Sequence, residues 1–407
     1  MLKFSLHRLY AAITAVSLLV CIEHAYAAQD IDWDLSGYVA GETRAYTDTP
    51  SFPRQKDKPD YSFVYNPELR FKSKDNKHQV TIIPFGRIDS IDHERTHFDM
   101  REAYYLNAGD SMTYLIGIDK VFWGVTESKH LVDIVNQTDG VEDIDGEAKL
   151  GQPMLNASMS RDWGTLDFYL MPYFRERTFA GEKGRLRASL SIDTDNPVYE
   201  SNAEEYHVDA AIRYSHYRGD WDFGISHFYG TSREPRLIAN SSGDKFIPHY
   251  DIINQTGIDI QLTQDAWLWK LEAIAREGQG DFFVALSSGF EYTFYQIARS
   301  NADLGLLAEY HYDGRDSRAP ATALDDDIFA ALRLTFNDIQ DTALLAGLTI
   351  DPLTDEIFYN LEAETRIGDS WKLELRLRVF SGPIDVNDAL RSIDTDDYLQ
   401  LRLAYYI

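Results

Sequence analysis

Beyond its first two dozen residues the sequence has no cysteine, since Cys21 is the sole one in the chain. That excludes disulfides and thiolate metal sites from the body of the protein. Long apolar runs are equally absent there: nothing after residue 22 approaches the ~18–20 residues of a membrane-crossing helix. Basic residues are scarce, with 39 Lys and Arg against 66 Asp and Glu and a formal charge of −27. Such a chain is a poor partner for nucleic acid, whose phosphates call for basic patches. No segment repeats its apolar residues with helical periodicity over helical length. There is no G-x-S-x-G and no histidine pair at metal-ligand spacing, so no metal or other cofactor is expected.

The first residues do contain an apolar stretch. Lys3 and Arg8 precede a hydrophobic run that ends at Ile22, and Ala25-Tyr26-Ala27 supplies a small-residue cleavage site. Residues 1–27 therefore read as a secretory signal peptide, to be set aside from the fold. Lipidation at Cys21 is the alternative, but Val20 is larger than the small residue that precedes a lipidated cysteine. Losing Lys3, Arg8 and Glu23 with the leader makes the remaining chain one unit more negative.

Strict alternation then dominates. In "WKLELRLRVF", Trp371, Leu373, Leu375, Leu377 and Val379 share one parity, while Lys372, Glu374, Arg376 and Arg378 share the other. Alternate residues of a strand point to opposite faces, so one face is apolar and the other ionic. The segments beginning at Trp33, Val80, Tyr206, Trp267 and Ile357 repeat the pattern. Tight turns at Asp75-Asn76, Gly109-Asp110, Arg161-Asp162, Gly219-Asp220, Gln264-Asp265, Ser300-Asn301, Asn337-Asp338 and Gly368-Asp369 alternate with generally longer connections. Eight turns and nine loops give an all-β chain of about 18 strands, with 16 as the neighbouring even count. The fold expected is a transmembrane antiparallel up-and-down β-barrel over residues 28–407, with short periplasmic turns and long extracellular loops. The phase breaks near Glu102 and blurs around Ser287-Gly289.

Tryptophan gives an independent test. Trp33, Trp163, Trp221, Trp267 and Trp371, five of the seven, begin strands that would rise from the same side. Indole is favoured where an apolar ring meets wet headgroups, and membrane barrels carry aromatic girdles there. The C-terminal "DDYLQLRLAYYI" places Leu399, Leu401, Leu403, Tyr405 and Ile407 on one face.

With these features in hand, the chain resembles porin-type outer-membrane β-barrels. The segment 117–139 is similar to a strand-then-loop signature of porin-like families of uncharacterised substrate, through Gly117, Trp123-Gly124, Asp133, Asn136 and Asp139. The last strand is similar to the terminal signal read by the barrel insertion machinery, with Ile407 where Phe is usual. The resemblance implies a channel in the outer membrane of a Gram-negative bacterium, in contact with lipid and lipopolysaccharide, passing small hydrophilic solutes or ions. It also implies that the third extracellular loop, 120–151, folds into the lumen and narrows it. Monomer and homo-oligomer both fit. No plug, periplasmic or peptidoglycan-binding domain is expected.

Parity assigns the lumen. Arg44, Arg366, Lys372, Arg376, Arg378 and Arg402 fall on strands that become neighbours when the barrel closes, and are expected to form a basic wall lining the pore. Glu142, Asp143, Asp145 and Glu147 of the third loop are expected to face that wall across the pore. Calcium binding by this loop is disfavoured, because its spacing lacks the twelve-residue ligand pattern. Two other readings stay open: an exporter of an anionic polysaccharide, and a barrel lipase or protease. The second would need a nucleophile beside a base. His97 with Asp99, or Ser226 with His227, are the residues available, and the adjacent pair points to opposite faces.

Overall fold

The computed structural model describes residues 31–354, 356–382 and 391–407; the expected leader, 1–27, lies outside them. Eighteen strands form one closed antiparallel sheet. In chain order they are β1 (31–46), β2 (60–73), β3 (78–89), β4 (97–108), β5 (113–119), β6 (152–161), β7 (164–171), β8 (209–218) and β9 (221–231). The second half holds β10 (252–264), β11 (267–277), β12 (283–294), β13 (303–313), β14 (328–335), β15 (343–350), β16 (357–367), β17 (371–381) and β18 (398–406). Each strand pairs with its chain neighbour, and β18 closes on β1 from Tyr38–Tyr406 to Tyr46–Tyr398. Closure removes the edges that would otherwise expose unpaired backbone to lipid.

The alternation of the sequence becomes the two faces of the wall. Along β18, Leu399, Leu401, Leu403 and Tyr405 are exposed on the outside, while Tyr398, Gln400 and Ala404 are buried within. Trp33, Trp163, Trp221, Trp267 and Trp371 are exposed at the turn-bearing ends of their strands. Trp269 is exposed as well, stacked on Trp267 at 5.2 Å between ring centroids. Only Trp123 is buried, and it lies in the third loop.

The break in phase near Glu102 is a β-bulge. Ile83 pairs with Glu102 but Pro84 pairs with Met100, so Arg101 has no partner across the ladder. Pro84 has no N–H to give, and a bulge accommodates that. The bulge turns Arg101 inward, where its guanidinium lies over the Phe85 ring at 4.3 Å.

At the loop-bearing end, residues 191–192, 198–199, 236–239 and 245–250 form a second, four-stranded sheet. It joins the loop 172–208 to the loop 232–251 through the pairings of Phe246 with Ile192 and Tyr250 with Tyr199.

Candidate pore constriction and its charge clusters

Residues 120–151 fold into the barrel. Trp123, Val132, Ile134 and Val135 are buried against inward side chains of the wall, among them Met154, Met171, Phe228, Ile253 and Ile274. Each large apolar side chain so buried contributes roughly 1.5–3 kcal/mol, which offsets the entropy of ordering the loop. The motif residues hold its shape. Gly124 has φ +152°, and a Cβ there would stand 2.7 Å from His130 Nδ1. Asn136 accepts from Val121 N at 2.8 Å and donates to the carbonyls of Asp119 and Leu150 at 2.9 Å, tying together both ends of the loop. Asp133 accepts from Trp123 N at 3.3 Å.

Two inward glutamates of the far wall anchor the loop. Glu272 accepts the N–H groups of Val125, Thr126 and Val132 and the Thr126 hydroxyl, at 2.7 to 3.2 Å. Glu309 accepts Glu127 N at 2.6 Å and Ser128 N at 3.0 Å, with the Ser128 hydroxyl at 2.6 Å. His130 lies between Glu147 (3.3 Å) and Glu272 (3.7 Å). Burial disfavours its charged form, but these two carboxylates outweigh that and raise its pKa to about 10.

The six expected wall residues do not act as one surface. Arg376 pairs with Asp143 and lies 3.6 Å from Asp145. Arg378 is buried between Glu362 at 2.6 Å and Asp145 at 3.8 Å. Arg402 pairs with Glu374, and Lys372 bridges Glu364 (2.8 Å) and Glu374 (3.2 Å). Arg44 is buried, bonded to Gln400 at 2.7 Å and to the Glu142 carbonyl at 3.3 Å. Arg366 stands apart, exposed at the turn end with Asp341 at 3.0 Å.

The acidic loop residues also divide. Asp143 and Asp145 touch the wall instead of facing it across water. Glu142 reaches a different strand and meets Arg87 at 2.6 Å. Glu147 turns back to His130. The reason is the electrostatics of a confined lumen: charges of opposite sign within reach close into pairs, because separation would leave each desolvated without a partner.

His97, Asp139 and Glu142 bring ligand atoms within 4.8 Å of one another. Their charge is already met, however. Arg101 binds Asp139 at 2.5 Å, Arg87 binds Glu142, and Thr178 donates to Asp139 at 2.6 Å. A group held by two guanidiniums does not fit a divalent cation. Asp99 is likewise taken by Arg101 (3.1 Å) and Arg175 (2.7 Å). Ser226 is buried inside, whereas His227 points out and bonds Thr256 Oγ1 at 2.9 Å.

Above the loop lies a cavity of about 1890 Å³, bounded by loop 3, the outer loops and the inner face of β14 to β17. Its lining includes a cluster that alternation does not reveal. Glu234 binds Arg276 at 2.6 Å and Arg315 at 3.3 Å, and Arg315 also binds Asp313 at 2.7 Å. Lys129 and Arg177 line the same cavity. An apolar strip was also missed. Leu307, Phe329 and Ala331 are buried on the inner face, with Leu345 packed against them. "ALLAGLTI" is apolar on both parities, so only the acidic and basic neighbours could have hinted at its orientation.

This geometry defines a porin-type outer-membrane β-barrel fold: closed, eighteen-stranded and antiparallel, with its third loop inside. No family model matches the sequence, and no curated protein sequence matches it. Among solved structures the chain is similar to a BenF-like porin from Pseudomonas fluorescens, with TM-score 0.54 and 9% identity over 93% of this chain and 98% of that one. It is also similar to Wzi, a carbohydrate-binding β-barrel of the Escherichia coli outer membrane involved in group 1 capsule assembly. That likeness has TM-score 0.52 and 11% identity, over 97% of this chain and 88% of the other. At these identities the likeness is one of fold.

Proposed function

We propose that the protein is a channel in the outer membrane of a Gram-negative bacterium, through which small hydrophilic solutes or ions diffuse passively, and that it is not an enzyme. One observation carries this reading. The barrel has eighteen strands, and its lumen keeps a charged cavity of about 1890 Å³ beside the inserted loop. Barrels of ~16–18 strands are wide enough for an aqueous channel, whereas ~8 strands are filled by side chains. Loop 3 narrows the lumen and is bonded to both sides of it, which suits small solutes better than an exported polymer. Arg376 and the Asp143–Asp145 tip would line the passage. Lipid and lipopolysaccharide would surround the outer face, and the C-terminal strand would be read during insertion.

Purified protein in a planar lipid bilayer should give stepwise ion conductance. A correctly folded barrel, with the usual change of gel mobility on heating, that conducts nothing would refute the channel.

A further inference from the structure

We propose that Lys129 and Arg177 form an anion-recognition site on the outer side of the constriction, which selects solutes carrying a carboxylate. This inference rests on the channel reading and adds the class of solute.

The cavity is rich in cations, but nearly all are spoken for. Lys149 pairs with Asp133, Arg236 with Asp251, Arg376 with Asp143 and Arg378 with Glu362. Among the described residues, three of its cations have no carboxylate within ion-pair distance: Lys129, Arg177 and Arg187. Arg187 gives its two terminal nitrogens to the carbonyls of Ala188, Ser189 and Pro53 and lies over the Phe52 ring at 4.8 Å. Lys129 donates to two neutral acceptors, Thr322 Oγ1 at 2.8 Å and the Leu324 carbonyl at 3.2 Å. An ammonium has three donors, so one remains. Arg177 has only the Phe179 ring beneath it, 5.9 Å from its guanidinium carbon.

The surroundings sharpen the demand. Glu234 is the acid that both cations sense, and it is already bonded to Arg276 and Arg315. Lys129 lies within reach of Glu234, Asp313 and Asp327 and Arg177 within reach of Glu234, but Glu234 is bonded to Arg276 and Arg315, Asp313 to Arg315, and Asp327 accepts from Asp325 N at 2.8 Å. Burial pulls the pKa of both Lys129 and Arg177 down, the first helped by the nearby Arg315. Each cation is therefore costly where it stands and would be stabilised by an arriving anion. A guanidinium takes a carboxylate in a two-point fork, and the ammonium on the same cavity wall offers a further donor. Asp325 and Asp351 also line the cavity, and Asp351 is occupied by Leu353 N at 2.7 Å and the Thr354 hydroxyl at 2.6 Å. Their presence discourages polyanions and favours a small solute with one or two carboxylates.

Succinate is the probe. Added to the loop side of the full-length protein in a bilayer under potassium chloride, it should reduce single-channel current with a saturable block. In Lys129→Gln/Arg177→Gln the blocking constant should rise about tenfold or more, as expected for two lost charge-assisted hydrogen bonds. Arg318→Gln, on an exposed rim pair, should move it about twofold or less. Glu234→Gln should tighten the block, a gain that a damaged fold would not produce. Current that succinate does not block, or a blocking constant that the double variant leaves unchanged, overturns the site. If the wild type conducts nothing, the channel reading fails while the site stays testable by calorimetry in detergent. Succinate heat that the double variant loses would then support the site, and a wild type giving no heat would overturn it.

Discussion

The wall of β16 to β18 and the cluster around Glu234 are both rich in arginine and both lie inside the barrel, yet they differ in kind. In the wall, the ladder sets Glu374 opposite Arg402 and Glu362 opposite Arg376. Where it sets like charges opposite, the side chains bend away: Arg366 faces Lys372 across the register, and the two find Asp341 and Glu364 instead. Alternation along neighbouring strands thus supplies its own neutralisation, completed by Asp143 from the loop. The cluster is assembled from loop 3, the loops after β7, β9 and β13, and two strand residues, Arg276 and Asp313. No ladder enforces balance there, and cations outnumber acids. Free charge in this lumen is a product of loops meeting, and compensated charge a product of strands pairing.

The comparison can be broken most severely at the loop anchor that keeps both regions in place. Glu272→Ala leaves the N–H groups of Val125, Thr126 and Val132 without their acceptor and leaves His130 with Glu147 alone. Loop 3 should lose about 3 kcal/mol or more of docking free energy. Single-channel conductance should then rise several-fold with added noise; a conductance like that of the wild type would show that the loop is held elsewhere. Gly124→Ala should act in the same direction but less, costing about 1–3 kcal/mol through its positive φ and its crowding on His130. The midpoint of heat-induced mobility change on gels measures it.

Next comes a contrast of charge. Arg376→Gln with Asp143→Asn removes a compensated pair, so the reversal potential in a salt gradient should move only slightly. Arg376→Gln alone strands Asp143 and should turn the pore toward cations. Equal shifts from the single and double variants would mean that the pair does not line the passage.

The smallest expected effect is one of pH. Burial raises the Asp145 pKa, Asp143 beside it adds to the rise, and the group is pushed up to about 7. The docked tip therefore holds a proton that a free aspartate would release near pH 4. Its contribution to docking is complete below that pH and is lost as pH rises through about 7. Between pH 6 and 8 the tip gains negative charge beside Arg376 and Arg378, so anion permeability should fall modestly. Asp145→Asn should abolish that dependence. A pH response that survives in Asp145→Asn would assign it to another group.

Much of the architecture is legible because lipid punishes error. A charge on the outer face at mid-depth costs ~2–4 kcal/mol, so the outward parity of β17 and β18 is apolar without exception from Leu373 to Val379 and from Leu399 to Leu403. The turn dipeptides and the tryptophans at strand starts are equally local, and a strand count of about eighteen follows from them. The inner face has no such rule. Water, a partner charge or a packed loop all satisfy it, so the sequence did not distinguish Arg376, paired and partly accessible, from Arg44, buried against Gln400.

The bulge at Arg101 marks the same boundary. Its presence was audible as a break in phase near Glu102, but its consequence, an arginine delivered to Asp139 of loop 3, depended on how the loop returned. The motif of Trp123-Gly124, Asp133, Asn136 and Asp139 pointed to a strand followed by a loop, while the wall that loop packs on draws both on its flanking strands, through Leu115 and Met154, and on distant ones, through Phe228, Ile253 and Ile274. By itself the sequence determined a closed antiparallel barrel of about eighteen strands, since alternation, turns and girdle residues are local and each is enforced by the membrane. The tertiary structure alone decided which lumen charges cancel and which, at Lys129 and Arg177, are left without a carboxylate, because that depends on where five separate parts of the chain converge.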